Sequence, residues 1–86
     1  MKPIKTIEQL KKAATNENGD FTDFFILLAG GLVRSSKRIL YNPETETFDV
    51  YNEIDDSEQD ALTVEKLKME THIVEAIENN CLYQYS

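Results

Sequence analysis

Five carboxylates within eight positions, Glu53, Asp55, Asp56, Glu58 and Asp60, are the side chains of this chain best spaced to do chemistry. Asp56, Glu58 and Asp60 alternate as the first three ligands of a calcium loop do. The sixth position of such a loop is then Ala61 where glycine is needed, and the twelfth is Leu67 where glutamate is needed, so an EF-hand is rejected. A looser, weak cation site is the remaining metal alternative, against an ordinary solvated acidic loop. Paired carboxylates could also serve acid–base catalysis, but only in a pocket that raises the pKa of one of them. An exposed run of like charges supplies no such pocket.

The basic counterpart is Arg34, Ser36, Lys37 and Arg38, with Ser35 among them. Guanidinium and hydroxyl donors suit phosphate oxygens, so these residues are the alternative phosphate-binding or nucleic-acid-binding candidates. Against that, a strand alternates its residues between faces, and the remaining charge repels phosphate. Gly30-Gly31 lacks the flanking pattern of a phosphate loop. His72 and Cys81 each stand alone, whereas zinc takes three or four protein ligands and a cysteine nucleophile needs an oriented histidine. No catalytic residue, cofactor site or metal site is expected. Tyr41, Tyr51, Tyr83 and Tyr85 read as sheet packing, or as a partner-binding patch if several lie exposed beside Phe25.

Charge is divided unevenly along the 86 residues, whose net charge is −7. Residues 1–41 hold seven Lys/Arg against four Asp/Glu, and residues 42–86 hold two against twelve. A field of this sign disfavours nucleic acid and anionic membranes and favours basic partners. Such acids also keep a small protein soluble. The length suits one small domain, 1–86, with a core formed without disulfides, since Cys81 is the only cysteine. No secretory leader and no membrane-spanning run are expected, which makes the cytoplasm the default compartment.

The elements that position these residues follow from turn and pattern signals. Thr6 and Gln9 match a capping box before a helix whose apolar face is Ile7, Leu10, Ala13 and Ala14. Phe24 to Leu28 is apolar on both faces, which predicts a central strand. Hairpin loops at Gly30-Gly31 and at Asn42 to Thr45 then predict three consecutive antiparallel strands. That register sets Leu28 opposite Val33, Asp23 opposite Arg38, Ile39 opposite Phe48, Arg38 opposite Asp49 and Arg34 opposite Glu53. One face gathers Phe24, Ile26, Leu28, Val33, Ile39, Phe48 and Val50, with Lys37 as a blemish; the other brings opposite charges together. Asp55 to Asp60 reads as an acidic loop. Thr63 and Thr71 can cap two short helices, with one helix over 64–79 as the alternative, and Asn79-Asn80 as a stop. The tail from Cys81 to Tyr85 could add a fourth strand.

The expected fold class is α+β: an antiparallel β-meander of three strands, or four, packed against an N-terminal helix and a C-terminal helical segment. The expected function is a small acidic, non-catalytic protein-interaction or regulatory module. It would bind a basic protein through Glu53, Asp55, Asp56, Glu58 and Asp60, in one version by imitating nucleic acid. The alternatives are a nucleic-acid-binding module using the basic strand and a small enzyme whose site leaves no motif. A homo-oligomer is compatible with all of these.

Overall fold

The computed structural model describes residues 1–85. In chain order the elements are β1 (Lys2–Pro3), α1 (Ile7–Ala14), β2 (Phe24–Leu28), β3 (Gly31–Arg34), β4 (Lys37–Asn42), β5 (Thr47–Asn52), β6 (Ser57–Leu62), α2 (Val64–Glu70), α3 (Ile73–Glu78) and β7 (Leu82–Gln84). The fold is α+β, with every strand pairing antiparallel. Two sheets form, one ordered β1-β7-β2-β3 and the other β4-β5-β6. Phe24, Ile39, Phe48, Val50, Leu10, Leu67, Ile73 and Leu82 are fully buried and join both sheets and all three helices in one core.

Local chemistry explains the helix ends. Thr6 Oγ1 accepts from the Gln9 N–H at 3.1 Å, while Gln9 Oε1 accepts from the Lys5 N–H at 2.6 Å, one residue ahead of the usual reciprocal partner. Thr63 caps α2 in the same way, accepting from the Lys66 N–H. Two short helices follow Thr63 rather than one. Thr71 separates them: its hydroxyl donates back to the Leu67 carbonyl and accepts from the Ile73 N–H. Asn79 caps α3, and Asn80 takes the left-handed conformation (φ +57°) that ends it. The tail is a strand, β7, and it completes the pairing of β2 on the side away from β3.

Both predicted turns are displaced by one residue. The first loop is Ala29-Gly30, and Gly31 opens β3 at φ +119°, a conformation that any β-carbon would strain. The second runs from Pro43 to Glu46, with Asn42 still in the strand and its side chain accepting from the Glu44 N–H. Leu28 therefore faces Gly31 rather than Val33, and Phe48 faces Tyr41 rather than Ile39. A one-residue move of a turn shifts each pairing by two, so side chains keep their faces. Phe24, Ile39, Phe48 and Val50 are buried as expected, but Leu28 and Val33 are 56% and 51% exposed because the hairpin tip projects past the core.

Two further expectations are corrected. The second strand of the meander is broken at Ser35-Ser36, where two extra residues turn the chain from one sheet into the other. Ile26–Val33 pairing on one side of the break gives way to a Thr22–Ile39 bridge on the other. The acidic loop expected over Asp55 to Asp60 is a turn only at Asp55 and Asp56. Ser57 to Leu62 forms β6, joined to β5 by a turn over Glu53 to Asp56.

Candidate functional site

Arg34, at the end of β3, reaches across the strand break to the turn after β5. Its two terminal nitrogens donate to both Glu53 oxygens at 2.6 and 2.8 Å, the bidentate geometry that guanidinium and carboxylate favour. Arg38 Nε donates to Asp23 Oδ1 at 2.8 Å and lies 3.3 Å from Glu53 Oε1, while Arg34 also reaches Asp23 at 3.3 Å. The predicted Arg34–Glu53 and Asp23–Arg38 pairs form. The Arg38–Asp49 pair does not, because the shifted register sets Tyr51 opposite Arg38 and Leu40 opposite Asp49.

These contacts polarise the titrations. The hydrogen bond from Arg38, then the charges of Arg38 and Arg34, hold the Asp23 carboxyl below the usual range against some desolvation. Arg34 does the same for Glu53. Both arginines are consumed internally, and they tie the two sheets together where the chain passes between them. Lys37 projects to the other face of β4, so the basic cluster is split rather than gathered. The Ser36 carbonyl accepts from the Glu53 N–H, and Ser35 Oγ accepts from the Lys37 N–H.

The outer face of the β4-β5-β6 sheet is different. Tyr51 pairs with Glu58, and a bulge between Phe48 and Val50 places Asp60 and Ala61 against Asp49. The Asp49 carboxylate accepts from the Ala61 N–H at 2.9 Å, fixing Ala61 in the left-handed region at φ +57°. Glu58 has its pKa pushed up by desolvation, then by the charge of Asp60 and a hydrogen bond with it, then by the charge of Asp49. The Tyr51 hydroxyl donates to Asp56, which holds the phenol above its ordinary pKa, and the Tyr51 ring packs on Phe21 at 5.8 Å between centroids. Asp55 accepts from Ser57 Oγ and from the Ser57 N–H.

Among the described residues, none of Asp49, Asp55, Asp56, Glu58 and Asp60 is ion-paired with Lys or Arg. Of the five carboxylates singled out by spacing, Glu53 belongs to the arginine network and the other four remain unneutralised. Asp49 joins them, and sequence reasoning missed it by pairing it with Arg38. The residue types carry no signal for it: the turn moves by one residue because it closes on Glu46 in the left-handed region (φ +56°), a conformation that glutamate does not announce. No group of three or more His, Cys, Asp or Glu among the described residues is arranged to hold a metal ion.

The β2-β3 hairpin presents an apolar surface instead. Leu27, Leu28, Leu32 and Val33 are 41–56% exposed at the β2-β3 hairpin. A groove of about 380 Å3 runs between that hairpin and α3, floored by Ile26, Leu28, Val33 and Ala76. His72, Glu75 and Cys81 line it, with Cys81 Sγ donating to the Asn79 carbonyl. Among the described residues no helix is long and apolar enough to cross a membrane. No protein-family model, curated protein or solved structure matches the chain.

Proposed function

We propose that this chain is a non-catalytic interaction module that binds a basic protein on the acidic outer face of its β4-β5-β6 sheet. The supporting observation is an asymmetry: Arg34 and Arg38 are neutralised within the fold, whereas Asp49, Asp55, Asp56, Glu58 and Asp60 have no cationic partner among the described residues. Grouped on one sheet face and its turn, they present an uncompensated negative field to solution. Such a field draws in a basic surface and speeds its encounter. Imitation of a nucleic-acid backbone towards a basic protein is the sharper version of the same function.

An octalysine peptide is a suitable probe for this proposal. Its binding should weaken steeply with salt, as the Debye length falls from about 10 Å at 0.1 M to about 3 Å at 1 M. Replacing Glu58→Gln and Asp60→Asn together should slow association with little change in dissociation. Circular dichroism checks that the variant folds. If octalysine binds the folded double variant as fast and as tightly as it binds the parent, the acidic face is not the site and the proposal fails.

A further inference from the structure

Among the described residues, the outward backbone N–H and C=O groups of β3 have no partner. The Ser35 N–H donates to the Phe24 carbonyl at 2.8 Å, and alternation along this antiparallel pair turns Gly31 and Val33 toward β2. Leu32 and Arg34 therefore direct their backbone N–H and C=O away from the sheet, of which β3 is the last strand. Val33 faces the groove beside α3, and Leu32 lies on the other face with Leu27. No lysine, proline or bulge guards this edge, the usual devices against strand pairing.

Charge says what would pair there. Residues 24–33 carry no charge, and Arg34 is spent on Glu53 and Asp23. Glu53 opens the turn that carries Asp55 and Asp56, so the C-terminal end of β3 abuts an acidic turn. A strand added antiparallel to β3 begins at that end.

We infer that β3 receives an extended segment of a basic protein as an added antiparallel strand, with alternate apolar side chains in the groove beside α3 and its cationic N-terminal end beside Asp55 and Asp56. Backbone pairing supplies affinity in this mode, and the groove and the acidic turn supply selectivity. The inference rests on the basic-partner proposal above and names a separate place where part of that partner would lie.

The probe is a synthetic peptide of two lysines followed by Val-Thr-Val-Thr-Val, capped at both ends, and the readout is amide hydrogen exchange of the intact chain. Bound peptide should slow exchange at Leu32 and Arg34 at least tenfold and leave Val33, already bonded to β2, unchanged. With valines in the groove, the threonines sit opposite Leu32 and Arg34 and supply the hydrogen bonds. N-methylation of the threonines should therefore cost at least tenfold in affinity, and N-methylation of the valines much less. Unchanged exchange at Leu32 and Arg34 under saturating peptide overturns the inference, as does equal binding by a peptide with serines in place of lysines. Slowing that depends on protein concentration without peptide assigns the edge to a second copy and also overturns it. Octalysine separates the two levels: if it binds the chain while the valine-threonine peptide leaves β3 open to exchange, only this inference falls, and if octalysine does not bind, the basic-partner proposal falls first.

Discussion

β6 and β3 each end a sheet, yet β6 is the one guarded along its length by carboxylates and a bulge. Glu58 and Asp60 charge β6, and its ladder is broken by the bulge at Asp60-Ala61, where the Asp49 carboxylate takes the Ala61 N–H. Charges and bulges are how native sheets avoid edge-to-edge pairing. β3 has four residues, of which three are uncharged, and its one arginine is drawn away to Glu53. The chain thus guards one edge and leaves the other bare. On the reading proposed above, the acidic sheet repels like-charged copies and draws in basic surfaces, while the bare edge is left to pair.

The two regions share one core, and the most disruptive test of the comparison attacks it. Phe24 on β2 is fully buried against the same cluster as Phe48 and Val50 on β5. Phe24→Ala should cost about 3–5 kcal/mol in urea denaturation, the range for emptying a buried aromatic site. Exchange at β5 amides should rise together with exchange at β2 amides. Loss confined to β2 and β3 would mean that the sheets are independent units.

A smaller effect is expected at the join. Glu53 has a lowered folded pKa, so its contribution to stability is present above the ordinary glutamate value of about 4.3 and disappears as pH falls through the folded value. Glu53→Gln should thus destabilise the chain at pH 7 and match the parent near pH 2, as thermal melts at the two pH values would show. The smallest of the stability effects concerns the guarded edge. Ala61→Gly relieves a left-handed alanine and should gain roughly 0.5–1 kcal/mol after the entropy cost of glycine, measured by urea denaturation.

Much of this was legible in the residues. β2, the helix caps at Thr6 and Thr63, the Asn79-Asn80 stop and the buried faces of β4 and β5 follow from period and turn chemistry. β6 was not legible because Ser57 to Asp60 contains no β-branched or aromatic residue. Its strand conformation comes from pairing with β5, a tertiary demand that local propensity does not register. The break at Ser35-Ser36 was hidden for a related reason: the predicted pairing of Asp23 with Arg38 is correct on one side of it, and nothing in two serines announces a change of sheet. The turn displacements are why Asp49 was assigned to Arg38 instead of to the acidic face. The exposed hairpin tip was hidden because Leu28 and Val33 have the types and period of core residues, and only the length of the hairpin relative to the core exposes them.

The central claim, that the β4-β5-β6 face holds a crowded and uncompensated set of carboxylates while the sheet junction is neutralised, is tested most directly by following each carboxyl carbon by NMR through a pH titration, with and without octalysine. Glu58 should titrate above the ordinary glutamate range and Asp23 and Glu53 below theirs. Octalysine should lower the Glu58 midpoint and leave Asp23 and Glu53 where they are. A Glu58 midpoint at or below the ordinary value, or an octalysine response confined to Asp23 and Glu53, would contradict the account.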